Sequence, residues 1–304
     1  VNDVNDLQAQ SSEDPSWPRA NALLGRDSGA PIAIIGVPAC ETSISPTRAD
    51  TTPGAVRDAL RRYSTFSATH DIDLENLNIF DAGDVESPDH DEGEARVAQA
   101  LKSLKEKIVI AIGGDNSITY SVATALAGES IKQSGLITFD AHHDLRDGIS
   151  NGSPVRRLVE AGMPGDNIVQ VGIADFSNSA HYARRAQDMG ITVIPRADFN
   201  ARSIGSIVDQ AIEVASRGGG PVHVDIDVDV CDRSVVPGCP AAAPGGLSAD
   251  ELRQVSFLMG ADSRVGSVDF TEVDAQSDSP DGRTVRLVAL CILEFLCGVA
   301  SRDL

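Results

Sequence analysis

The stretch Gly135-Leu136-Ile137-Thr138-Phe139-Asp140-Ala141-His142-His143-Asp144-Leu145-Arg146 decides the fold. Its first five residues are mostly apolar and stop at an aspartate. A short apolar run with so sharp a polar end reads as a strand buried on both faces. Side chains on a strand alternate faces, so Asp140, His142 and Asp144 share one side and His143 points to the other, as a packing residue or one that supports a ligand from behind. A second run has the same design: Pro221-Val222-His223-Val224, then Asp225-Ile226-Asp227-Val228-Asp229. Asp225 and Asp227 share a face and are the expected ligands; Asp229 is in phase but further out, and a ligand and a solvated reading stay open for it. His223 reads as a hydrogen-bonded buried histidine. Four carboxylates and an imidazole crowded at buried strand ends repel one another unless cations lie between them. Hard oxygen donors with few imidazoles suit manganese or magnesium, and two ions bridged by carboxylates activate a water for hydrolysis.

Working outward, apolar runs of strand length alternate with amphipathic segments. Strands are expected at Ile32–Val37, Leu77–Phe80, Ile108–Ile112, Leu136–Phe139, Ile168–Gly172, Ile191–Ile194, Val222–Ile226 and Val265–Phe270. Helices are expected near 53–63, 93–106, 117–127, 154–162, 177–189, 203–216, 248–258 and 283–299. Pro53 suits a helix start, and Ser248 with Glu251 forms a capping-box pattern. Such alternation predicts an α/β fold with a mostly parallel sheet covered on both faces, and ligands bind at the carboxyl ends of such strands. Residues 1–18 read as an irregular arm and 19–304 as one domain.

The 304 residues carry a formal charge of −20, which argues against nucleic acid and anionic membranes as partners. No apolar run suggests a membrane span and no secretory signal is visible. Five cysteines, with no CxxC pair, point to reduced thiols and the cytoplasm; Cys239 reads as a structural thiol.

A third motif, Ile112-Gly113-Gly114-Asp115-Asn116-Ser117, joins a strand to a helix without the spacing of a phosphate-binding glycine fingerprint. Together, in this order and spacing, the three motifs resemble the ureohydrolases, which comprise arginase, agmatinase and formimidoylglutamase, over roughly residues 30–300. The resemblance implies a three-layer α/β/α sandwich, a dimanganese cluster and a homo-oligomer. It implies that Asp140 and Asp225 bridge the metals, that His142 and Asp227 bind one ion, and that Asp144 and Asn116 bind the other. Glu272, in Thr271-Glu272-Val273, would pair with a cationic amidine, and Asp144 would pass a proton to the leaving amine.

The chain departs from the family pattern at two places. Asn116 replaces the usual histidine, so the ion there is expected to be weak or absent. Asn151 stands where arginases and agmatinases carry a proton-transferring histidine, and it cannot act as acid or base. Asn151-Gly152-Ser153-Pro154-Val155-Arg156 and Pro237-Gly238-Cys239-Pro240 are most similar to the formimidoylglutamase branch. Its substrate, N-formimidoyl-L-glutamate, has an amidine and two carboxylates. Arg146 and Arg156, with Asn151 and Ser153, are the expected substrate-binding residues; Arg48 is a further candidate. Cleavage would give glutamate and formamide through a metal-bridging hydroxide. The alternatives are a urea-releasing agmatinase or guanidino-acid hydrolase, and a metal-poor, non-catalytic homologue.

Overall fold

The computed structural model describes residues 14–25, 29–105 and 107–302. The expected arm therefore lies mostly outside the described residues, and residues 14–18 form turns and a bend. The strands are β1 (Leu24–Gly25), β2 (Ile32–Val37), β3 (Phe66–Ser67), β4 (Ile72–Asp73), β5 (Ile79–Asp84), β6 (Ile108–Gly113), β7 (Gly135–Phe139), β8 (Ile168–Ile173), β9 (Thr192–Pro195), β10 (Val222–Asp227) and β11 (Val265–Thr271). The α-helices are α1 (Thr52–Ala59), α2 (His90–Ser103), α3 (Ile118–Ala127), α4 (Pro154–Glu160), α5 (Ala180–Asp188), α6 (Ile204–Ala215), α7 (Ala249–Ala261) and α8 (Arg283–Ser301).

Nine of these strands form one sheet in the order β1-β5-β2-β6-β11-β10-β7-β8-β9. Every pairing in it is parallel. Parallel pairing forces a crossover after each strand, and the crossovers supply helices to both faces. Ile34, Ile110, Phe139, Val224 and Phe270 pack on one side with residues of α1, α6, α7 and α8. On the other side Val109 and Ala111 meet Val97, Leu101, Ile118 and Val122, while Leu136 and Ile168 meet Val155, Leu158 and Ala186. This is the three-layer α/β/α sandwich.

Local signals act as expected where the chemistry is strong. Pro53 lies in the first turn of α1. Ser248 and Glu251 close a reciprocal capping box on α7. The Leu77–Phe80 strand is displaced: Leu77 closes a turn onto Leu74, and β5 runs on to Asp84. Its acidic end is held by Arg57, which bonds Asp81 at 2.9 Å. The edge strand β1 and the β3–β4 hairpin, two residues per strand, are too short to produce a periodic signal. Helix α8 is long and apolar enough to cross a membrane, but 67% of its most apolar window is buried inside the fold.

Strands β10, β7 and β11 lie side by side at the centre of the sheet. Val224, Asp225 and Ile226 of β10 pair with Ile137, Thr138 and Phe139 of β7. Asp225 also pairs with Asp269 of β11. The carboxyl ends of these strands set the floor of the site.

Candidate metal centre

Each ligand run continues past the end of its strand, where the backbone leaves the regular ladder. Asp227 is the last residue of β10, and a 3-10 turn, Val228–Val230, follows at once. Asp227 Oδ1 accepts the Asp229 amide at 2.8 Å, so the turn folds the Asp229 side chain back beside the strand end. Past β7, Asp140 Oδ1 accepts the His142 amide at 2.6 Å. His142 Nδ1 then lies 2.8 Å from Asp229 Oδ2 and 3.4 Å from Asp140 Oδ1. Candidate ligand atoms of Asp140, His142 and Asp229 all lie within 4.8 Å of one another.

Asp229, left open by the sequence, is the carboxylate that meets His142. Of the expected pair, Asp227 lines the cavity beside it and Asp225 does not. Asp225 sits one rung deeper in the sheet, level with Thr138, fully buried and outside the cavity lining. The alternation rule applies only while the chain is a strand, and here the strand ends between the candidates. The clue in the sequence was that ligand runs in such sheets lie beyond strand ends rather than inside them.

The electrostatics show a site built for cations. Burial, then the neighbouring Asp229, pushes the Asp140 carboxyl up to about 7. Burial and the Asp140 charge raise Asp144 well above the carboxylate range, and burial with Asp229 does the same for Asp227. Burial alone would lower the His142 imidazole, but Asp229 and Asp140 overcome it and push it up to about 12. Asp140 Oδ2 is buried with no hydrogen-bond partner. Crowded, buried carboxylates, one of whose oxygens has no partner, fit hard divalent ions.

Asn116, expected as a metal ligand, has its side-chain amide bonded here to three protein side chains. Its close position comes from the glycines before it: a Cβ on Gly114 would lie 1.8 Å from Ala39 O, so only glycine lets these backbones approach. The Asn116 amide oxygen is taken by two hydroxyls, Thr119 at 2.9 Å and Thr271 at 3.0 Å. The amide nitrogen donates to Asp144 Oδ2 at 2.5 Å. Asn116 therefore offers the centre a donor, because two threonines have claimed its only ligand-competent atom.

Glu272 lies just past β11 in a left-handed conformation (φ 64°), and Asp144 is also left-handed (φ 52°). Strained non-glycine backbone of this kind gathers at functional sites. Glu272 Oε1 accepts the Asn116 amide and the Asn151 side-chain amide, each at 2.8 Å. Burial, then the Asp115 charge, lifts the Glu272 carboxyl up to about 8.

His142, Asp144, Arg146, Asn151, Asp227, Asp229 and Glu272 line one cavity of about 420 Å³. Arg146 reaches it, and among the described residues its guanidinium has no carboxylate partner. Arg156 does not reach it: its guanidinium is sewn into the loop, bonded to the Arg146 and Gly148 carbonyls and to Glu160. Ser153 is also turned away, buried against Ser150. Both were expected to bind substrate; the α4 N-terminus points them into its own loop. Arg48 is paired with Asp50 at the surface. His143 is bonded to Gln170 at 2.6 Å and also lines this cavity. Cys239 is buried, and the five cysteines are unpaired. The cavity lining adds Ser177, Asn178 and Tyr182, which the sequence reading missed because nothing local marks a loop near α5 as facing β7.

A parallel α/β/α sandwich with an acidic, histidine-bearing centre at the strand ends defines the class: residues 30–298 match the arginase family model, and the chain belongs to the arginase family. Within that family it is 39% identical over 283 residues to the formimidoylglutamase of Halalkalibacterium halodurans, covering 89% of this chain and 88% of the relative. The crystal structure of formimidoylglutamase from Bacillus subtilis superposes with a TM-score of 0.89 at 30% identity, covering 96% of each chain. A Trypanosoma cruzi formiminoglutamase structure with Mn2+2 shares the fold, with a TM-score of 0.86 at 24% identity over 94% of this chain and 99% of that one.

Proposed function

We propose that this chain hydrolyses N-formimidoyl-L-glutamate to L-glutamate and formamide, with manganese as its metal. The observation that carries the reading is Arg146, a cation without a carboxylate partner in the same cavity as an acidic metal centre and the buried Glu272. Asp140, His142, Asp144, Asp227 and Asp229 would hold the metal; two ions are proposed, the one nearer Asn116 bound more weakly. Manganese held there supplies water ionised at neutral pH and neutralises the charge that develops on the attacked carbon's substituents.

The protein's own groups do the rest. Burial raises the Glu272 carboxyl to about 8, so a cationic amidinium docked against it would favour its ionised form. The two amides on its Oε1 fix that oxygen and leave Oε2 for the substrate. Asn151 takes no proton; it orients Glu272. Asp144, held by Asn116, is the group placed to carry a proton to the leaving amine. Arg146 takes one substrate carboxylate, with a bidentate geometry available to it. A dicationic substrate such as agmatine would gain nothing from Arg146 and would be repelled by it, which weakens the agmatinase reading. The metal-poor reading is weakened by Asp140, His142 and Asp229, whose candidate ligand atoms converge without Asn116. We further propose a cytoplasmic, oligomeric enzyme in which residues 19–304 act as one domain; the unpaired cysteines favour that compartment.

The test is a substrate panel with manganese, scoring formamide, ammonia and urea separately. Formamide from formimidoylglutamate supports the assignment. Urea from agmatine or a guanidino acid, without formamide, replaces it.

A further inference from the structure

The turn that carries His142 has no ladder to hold it. Strand β7 ends at Phe139, and residues 140–144 lie outside every helix and strand. Side chains from distant parts of the chain bond its backbone groups instead. The Ala141 amide donates to Asp229 Oδ1 at 3.0 Å, and Gln170 Nε2 donates to the His143 carbonyl at 2.7 Å. One further residue makes two bonds. Asn178 Nδ2 donates to the Ala141 carbonyl at 2.8 Å, and Asn178 Oδ1 accepts the His143 amide at 3.0 Å. Those two groups bracket His142, so a single planar amide spans the ligand from behind.

The loop that brings Asn178 there is strained. Phe176, two residues before it, has φ 65°, rare for a bulky side chain, and its ring is fully exposed. No packing of that ring offsets the strain. Strained backbone persists only where its surroundings over-determine it. Here the loop is pinned on both sides of Phe176 to one carbonyl: the Ala174 amide donates to Ala141 O at 3.1 Å, and Asn178 closes on the same oxygen. What the conformation achieves is the placement of Asn178, which lines the cavity between Ser177 and Ser179.

We infer that Asn178 is a positioning residue for the metal centre. Its amide holds the Ala141–His143 turn so that His142 meets Asp140 and Asp229 in ligating geometry. The inference rests on the proposed ligand set and is independent of the substrate.

The test is manganese affinity, measured by titration calorimetry on chelator-treated protein well below its melting temperature, where lost stability alone leaves binding unchanged. Asn178→Ala should weaken manganese binding by about 10–100-fold. Phe176→Gly should keep the wild-type affinity, because glycine adopts φ 65° without strain and the Asn178 amide stays in place. Should Asn178→Ala not fold, Asn178→Ser decides by the same measurement, since its side chain is too short to reach both Ala141 and His143. A lowered Tm with unchanged manganese affinity overturns the inference and leaves Asn178 a packing residue. An equal loss of affinity in Phe176→Gly also overturns it, assigning the effect to the loop rather than to the amide. A wild type that takes up no manganese overturns the ligand set itself, and this inference with it.

Discussion

Asn116 Nδ2 donates to Asp144 Oδ2 at 2.5 Å, so Asn116 meets the acidic centre as a hydrogen-bond donor. In this geometry Asn116 holds Asp144, and the ion proposed nearer Asn116 would have fewer protein ligands than the other. Asn116→Asp replaces the donor by a carboxylate facing another carboxylate. Its metal-free form should be less stable than wild type by roughly 1–3 kcal/mol, the cost of losing a bond to a charged group. Its second manganese should bind more tightly. Chemical unfolding with and without chelator, and titration calorimetry of manganese, check the two halves.

The pairing of Asp229 with His142 separates the three in-phase aspartates of the β10 run. Asp229→Asn should lose manganese and reduce activity by at least about 100-fold, since metal-site groups act as a unit. Asp225→Ser should retain its manganese content. Elemental analysis of both purified variants distinguishes them; equal metal loss would return Asp225 to the coordination sphere.

Arg146 and Arg156 are ten residues apart and do different work. Arg146→Met should raise KM for formimidoylglutamate by about 10–100-fold, the loss of one charge-assisted carboxylate contact, with Tm little changed. Arg156→Met should lower Tm by several degrees, because it removes the bonds closing the loop at the Arg146 and Gly148 carbonyls. Steady-state kinetics beside thermal melts reads both.

Stability should fall with pH in the metal-free protein. Asp140 and Glu272 titrate near 7 and 8 in the fold, against about 4 when unfolded. Between those values the folded state holds more protons than the unfolded state, so raising the pH favours unfolding. His142 acts in the same direction: its stabilising charge, raised to about 12, begins to be lost differentially only above its unfolded value near 6.5. Chelated protein should therefore melt at a higher temperature at pH 5.5 than at pH 8. Manganese must displace these protons, so its stabilisation should grow over the same interval. Melting curves across pH, with and without manganese, settle the sign.

The strand and helix pattern was legible in the sequence because buried parallel strands leave unbroken apolar runs and helix starts carry their own caps. That Asp140, His142 and Asp144 gather at a strand end was legible too, because the apolar run of β7 stops visibly at Phe139. The choice among Asp225, Asp227 and Asp229 was not. It depended on the residue at which β10 stops and on the turn that folds Asp229 back, and neither leaves a mark in alternation. Arg156 and Ser153 could not be told from cavity residues by position alone, because the direction of a loop side chain is fixed by which carbonyls close around it.

The sequence by itself determined that this chain folds as a layered α/β protein with a carboxylate-rich centre at its strand ends, through side-chain periodicity and the cost of burying charge. Only the tertiary structure decided which carboxylates converge, that two threonines turn the Asn116 amide towards Asp144, and that Thr138, Asp225 and Asp269 share one buried rung. Those relations join residues far apart in the chain, and they exist only once β7, β10 and β11 lie side by side.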